Sequence, residues 1–156
     1  MMIQTSEERC ALLKRQLRFF HFLEEKDLDI LPEYFTCGQI KAGEVLWKEG
    51  DVGDFEAFIV EGKIEVKKET EFAGKQVVVG VYSPGAIVGE FCLVEKGPRA
   101  VTAVAMEDSS LLFLTCENFE ALLQDHPVLG GKILKGMLFA VSTRLRKSFE
   151  RLASIF

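Results

Sequence analysis

The sequence predicts an α+β fold: an antiparallel, jelly-roll-type β-roll flanked by an N-terminal helix and a long C-terminal helix. Three observations carry this. Between Tyr34 and Leu114, short apolar runs alternate with glycine-bearing turns, the spacing of a sandwich or barrel. On either side of that stretch the apolar positions recur at helical spacing instead. At the C-terminus they alternate in steps of four and three, the seam of one long helix.

In chain order, residues 6–20 read as the first helix. Ser6 stands at the cap position, with Arg9 where a capping box would want Glu, and Leu12, Leu13, Leu17 and Phe20 lie near helical spacing. A second short helix is predicted from Lys26 to Leu31, ended by Pro32. These form an N-terminal helical segment, residues 1–33. The β-roll occupies residues 34–115, with turns at Lys41-Ala42-Gly43, Glu49-Gly50-Asp51, Glu61-Gly62, Ala73-Gly74 and Ser83-Pro84-Gly85. Within it, Phe58–Val66 alternates and Val77–Tyr82 is nearly continuous in apolar residues. Residues 116–156 return to helix, first Glu117–Leu123, then a long helix from Val128 onward. That helix carries Leu134, Leu138, Val141, Leu145, Ser148, Leu152 and Ile155, a heptad seam of three repeats. Gly130, Gly131 and Gly136 weaken its first half in isolation, so it needs packing against the roll or a partner. The seam either lies on its own domain or pairs two chains. We expect a parallel homodimer through Leu134, Leu138, Val141, Leu145 and Leu152.

A chain of 156 residues makes one domain with a sizeable core. No apolar run reaches the length of a membrane span, and Glu7 and Glu8 in a polar N-terminus exclude a secretory signal. Cys10, Cys37, Cys92 and Cys116 are scattered without a CxxC pair, as expected of reduced thiols in a cytoplasm. With only His21 and His126, no metal site is expected, and there is no nucleophile–base pair, carboxylate pair or P-loop, so an enzyme is not expected. The net charge of −5 is uneven. Lys132, Lys135, Arg144, Arg146, Lys147 and Arg151 face Glu150 alone in residues 126–156, so this tail is +5 and the rest −10. The tail is either a solvated helix face or docks on an acidic surface.

The chemistry concentrates in Gly89–Ala105, GEFCLVEKGPRAVTAVA, which reads as a loop and short helix holding one small anion. Gly89 permits close backbone approach. Glu90 opens an apolar turn, Phe91–Val94, whose first N–H groups could seat a phosphate. The Gly97-Pro98 turn delivers Arg99, able to grip a phosphate with two parallel bonds, just before the strand-like Ala100–Val104. An acid and a base bracketing one loop suit a ligand with both a hydroxyl and a charge.

The order Gly89-Glu90, a short apolar helix, a loop, Arg99-Ala100 and a strand resembles the phosphate-binding cassette of cyclic-nucleotide-binding domains. That family includes the sensor domain of catabolite activator protein and the regulatory subunits of protein kinase A. Upstream, Gly43–Asp54 resembles the family's Gly-Glu…Gly-Asp turn and Ala57–Val66 its next hairpin. The resemblance runs from about Phe20 to about Arg151. It implies a cassette over residues 88–102 and a regulatory module sensing a cyclic nucleotide. Arg99 would neutralise the exocyclic phosphate oxygens; the alternative is that it pairs with Glu90 or Glu95. Glu90 would accept the ribose 2′-hydroxyl proton, and Gly89, Ala100 and Val101 would donate backbone N–H groups. Ala100, lacking the hydroxyl often found at this position in relatives preferring cyclic GMP, leans to cyclic AMP. Val88, Val79 and Leu93 are apolar-wall or plain core residues, and Ser148 and Phe149 fall near the adenine. Cys92 stands where the family has a small apolar residue. Gly43, Gly50, Gly53 and Gly62 are assigned to turns away from the ligand, and Trp47 to packing. In the family the long helix lids the nucleotide or pairs two subunits. No helix-turn-helix follows it here, so no direct DNA binding is expected, and output would pass through dimerisation or an effector protein. Two other readings stay open: a ligand-free interaction module on a degenerate site, and a sensor of another small anion.

Overall fold

Strand pairing in the computed structural model, which describes residues 5–16 and 22–156, is antiparallel throughout. The strands are β1 Phe35–Ile40, β2 Val45–Trp47, β3 Phe55–Glu61, β4 Ile64–Glu69, β5 Gln76–Tyr82, β6 Ile87–Val88, β7 Thr102–Ala105 and β8 Ser109–Thr115. They form two four-stranded sheets, ordered β1-β8-β3-β6 and β2-β7-β4-β5. The helices are α1 Ser6–Gln16, α2 Phe91–Val94, α3 Cys116–Asp125 and α4 Pro127–Ala153, with 3-10 turns at Glu25–Asp29 and Leu31–Glu33. This is the expected β-roll between helices.

α1 is capped one residue earlier than expected. The Thr5 N–H donates to Glu8 Oε2 at 2.7 Å, and the Glu8 N–H to Thr5 Oγ1 at 3.3 Å. Thr5 with Glu8 closes the reciprocal box that Ser6 with Arg9 could not. The expected helix positions Leu17 and Phe20 lie outside the described residues. Pro32 opens the second 3-10 turn rather than ending a helix, because at a first turn its missing N–H forfeits no bond.

Two cores flank the first sheet. Ile40, Ala57, Ile59, Ile64, Leu111 and Phe113 fill the space between the sheets. Phe35, Phe58, Leu112 and Leu114 project the other way, onto Leu12, Leu31, Leu122, Ile133 and Met137 of the helical elements. β3 and β8 are therefore buried on both faces, and the alternation expected from Phe58 is replaced by a continuous buried run. β5 is the opposite case. Its valines Val77, Val78, Val79 and Val81 are about half exposed, because β5 is an edge strand paired only with β4.

α4 turns Leu129, Ile133 and Met137 into the domain. A Cβ at Gly130 would stand 2.7 Å from Leu123 Cδ2, so this glycine lets α3 and α4 pack closely. Two of the tail's cations dock on the domain's own acids. Lys132 Nζ lies 2.8 Å from buried Asp27 and 3.1 Å from Glu24, and Arg144 reaches Glu90. The seam faces elsewhere: Leu134, Leu138, Leu145, Leu152 and Ile155 are exposed and Val141 is half-buried. Among the described residues no helix is long and apolar enough to cross a membrane.

Glu56 of β3 is fully buried, and neither carboxyl oxygen finds a hydrogen-bond partner. Burial, aided by the nearby Glu90 charge, pushes its pKa well above the ordinary carboxylate value. The folded state thus keeps a proton that the unfolded chain releases first. This contribution is fully present below the unfolded pKa and is lost as pH rises toward the folded one. Glu56→Met, with no polar atom to bury, is expected to raise stability by about 1–3 kcal/mol at mildly alkaline pH. The gain should shrink at acidic pH. Urea denaturation at both pH values checks it.

Candidate functional site

Strand β6 ends at Val88, and at Gly89 the chain turns with φ +83° toward α2. A Cβ at Gly89 would stand 2.6 Å from Arg99 Nη1 and 2.9 Å from Trp47 Cη2, so no other residue fits there without displacement. The loop after α2 is fastened to the 50–53 turn. The Arg99 N–H donates to Asp51 O at 2.7 Å, the Gly50 N–H to Arg99 O at 2.8 Å, and the Gly53 N–H to Gly97 O at 3.2 Å. The two glycine-bearing turns seen in the sequence thereby become one structure.

Arg99 is buried, only 6% exposed. Its guanidinium carbon lies 3.8 Å from the Trp47 ring centroid and 4.7 Å from that of Phe55. Nη2 donates to the Phe55 carbonyl oxygen at 2.6 Å, while Nε has no partner. Burial lowers the Arg99 pKa, opposed by Cys92 and Asp54. Among the described residues no carboxylate forms an ion pair with Arg99, so the alternative pairing with Glu90 or Glu95 is not made. A cation held this way, facing a cleft, is set up to receive an anion.

Glu90 is engaged by α4 instead. Arg144 Nη1 lies 2.9 Å from Glu90 Oε1, Nη2 donates to the Ile87 carbonyl, and the guanidinium sits 4.3 Å from the Tyr82 ring centroid. The acid that sequence reasoning assigned to a ligand hydroxyl is thus bridged to the long helix.

These groups surround an open cleft of about 180 Å³. Gly89, Glu90, Arg99, Ala100, Val101, Val88 and Val79 all line it. Leu93 packs against the helix-side core instead. Ser148 and Phe149 lie outside the lining: both are exposed, and Ser148 Oγ donates to the Arg144 carbonyl at 3.1 Å. Arg144, one helical turn earlier, is the α4 residue that reaches the cleft. Gly53 and Trp47, assigned to turn and packing roles, line it too, as does Tyr82. A basic residue one turn before Ser148 was the available signal for Arg144. Nothing in sequence pairs Tyr82 with it. Among the described residues no group of three His, Cys, Asp or Glu side chains is placed to hold a metal.

Comparison with known proteins bears on the family and the fold. Residues 38–126 match the family model described as cyclic nucleotide-binding domain. The chain is 30% identical over 129 residues to the cyclic AMP receptor protein of Thermus thermophilus, covering 83% of this chain and 57% of that one. It is 31% identical over 127 residues to the cAMP-dependent protein kinase regulatory subunit of Blastocladiella emersonii, covering 80% and 31%. The chain thus spans about half or less of these relatives' length. A solved cyclic nucleotide-binding domain from Methylobacillus flagellatus shares the fold, with a TM-score of 0.85 at 24% identity, over 94% of this chain and 85% of that one.

Gly89→Ala forces a left-handed backbone on an L-residue and drives a methyl group against the Arg99 guanidinium. It is expected to destabilise the protein by at least about 1–2 kcal/mol. Equilibrium urea unfolding of the variant beside the parent measures this.

Proposed function

The chain belongs to the cyclic nucleotide-binding domain family, and we propose that it is a non-catalytic regulatory module that binds cyclic AMP and signals through α4. The observation that carries this reading is the buried guanidinium of Arg99, with no ion-paired carboxylate among the described residues, at the wall of an open cleft. A cyclic phosphate supplies the missing charge and accepts two parallel N–H bonds. Backbone N–H groups at Gly89, Ala100 and Val101 complete the cradle. Ala100 brings no hydroxyl to the base, which favours adenine. Four unpaired cysteines suit the reducing cytoplasm in which such a module would work.

Signalling follows from the Arg144–Glu90 bridge. A ribose 2′-hydroxyl donating to Glu90 competes with Arg144 for the same carboxylate. Such a partly exposed ion pair contributes about 1 kcal/mol or less, so a bound ligand can re-set it. Ligand occupancy and the position of α4 are then linked equilibria. The outward-facing seam of α4 supports a parallel homodimer as the route of output, with an effector protein beyond it.

Two experiments test this. The first is calorimetric titration of cyclic AMP, with cyclic GMP alongside, into protein refolded free of carried-over nucleotide. Saturable cyclic AMP binding is expected, lost in Arg99→Ala. It should weaken by about 1.5–3 kcal/mol per lost bond in Arg99→Lys, which keeps the charge but not the fork. Tighter cyclic GMP binding would overturn the assignment from Ala100. No heat with either nucleotide would turn the reading to a ligand-free interaction module or another anion. The second is light scattering after size exclusion. A dimer is expected, shifted to monomer by Leu138→Glu with Leu145→Glu, whereas a monomeric parent protein would overturn the dimer.

A further inference from the structure

α2 is a single turn, and its far side rests on α3. Cys92 of α2 is buried, and Cys116, the first residue of α3, is half-buried. The Cys116 thiol donates to the Cys92 carbonyl oxygen at 3.1 Å, which sets the two cysteines side by side. Cys116 also borders an open cleft behind the cassette, shared with Gly53, Gly97 and Glu117. Cys10 and Cys37 sit apart, on α1 and β1. The cassette thus carries a thiol from its own helix against a thiol that solvent can reach.

We propose that Cys92 and Cys116 form a redox modification site, a dithiol that a low-molecular-weight disulfide converts into a disulfide tying α2 to α3. The Cys116 thiol loses its proton and attacks one sulfur of the small disulfide. That S–S bond breaks, a mixed disulfide forms on Cys116, and the first small thiolate leaves and takes up a proton. Cys92, giving up its own proton, then attacks the Cys116 sulfur and expels the second thiol. Two protein thiols are oxidised and one small disulfide is reduced to two thiols. The order follows from access. Burial pushes the Cys92 thiol far above its usual range, so it reacts only with a sulfur already held beside it.

Cys92 lies two residues beyond Glu90 and three beyond Gly89. A bond to α3 therefore holds the cassette in the arrangement described here, with Glu90 on Arg144, and opposes its adjustment around an anion. Resting on the cyclic-nucleotide reading, this predicts that oxidation weakens cyclic AMP binding about tenfold, an ordinary size for coupling between sites. Reduction should restore it.

The test treats the purified chain with excess glutathione disulfide, blocks remaining thiols and maps the digest by mass spectrometry. A peptide joining Cys92 to Cys116 is expected, together with a raised Tm. Dithiothreitol should reverse both, and both should be absent in Cys116→Ser and in Cys92→Ala. Full alkylation of both cysteines after treatment, or a glutathione adduct resting on Cys116 without the cross-link, would overturn the site. This mapping needs no nucleotide. Titration of oxidised and reduced protein then separates the two readings. Equal cyclic AMP affinity overturns the regulatory role, while a cross-link with no nucleotide binding in either state upholds the thiol site and sinks the ligand assignment.

Discussion

A positive charge kept out of water, with no ion-paired carboxylate among the described residues, is the constraint on which the rest of this site depends. Arg99 lies between the rings of Trp47 and Phe55, with one bond to a carbonyl and a buried Nε left over. Burying an unpaired cation is unfavourable, and the aromatic faces offset only part of that. The neighbouring sequence is shaped by it. Gly89 has no Cβ because a Cβ would strike the guanidinium, and a Cβ at Gly53 would press within 3.4 Å of the same side chain. Two turns distant in sequence are hydrogen-bonded into one wall so that the loop bearing Arg99 cannot fold away.

β3 links this site to the rest of the molecule. Phe55 faces Arg99 and the space between the sheets, while Phe58 faces the helices. Glu56, between them in sequence, carries an orphan carboxyl. Its elevated pKa removes the charge that burial would penalise, so a central strand tolerates an acid as long as it stays protonated. Polar groups that local packing alone would exclude thus cluster where β3 meets the cassette.

The glycine-turn rhythm of the β-roll and the order Gly89-Glu90, Arg99-Ala100 were legible in the sequence, because each rests on a local requirement: positive φ, close approach or a fixed charge. Features set by tertiary neighbours were not. The start of β3's inner run, from Phe58, read as alternating, since nothing local reveals that helices cover the second face of that strand. The valines of β5 read like a core strand although the sheet order leaves them at an edge. The α4 seam was visible as a pattern, but its outward direction follows from Leu129, Ile133 and Met137 having claimed the inner face. Arg144 escaped notice because its partner, Glu90, is distant in sequence and a one-turn error in helix register moves attention to Ser148. The capping of α1 shifted by one residue because Thr5, not Ser6, has a glutamate three positions on.

The close packing at Gly130 has a mechanical consequence. Leu123 bears directly on the start of α4, while most of the 27-residue helix extends beyond that point. At about 1.5 Å per residue the helix is roughly 40 Å long, with Arg144 about two-thirds of the way along. Gly130 is then the fulcrum of a lever, and the ion pair at Arg144 is the point where force from the cleft is applied. A tilt of about 10° about that fulcrum displaces the distal end by roughly 6 Å against roughly 4 Å at Arg144, so a shift imposed beside Glu90 leaves the protein enlarged at the far end of the helix, where another molecule can read it.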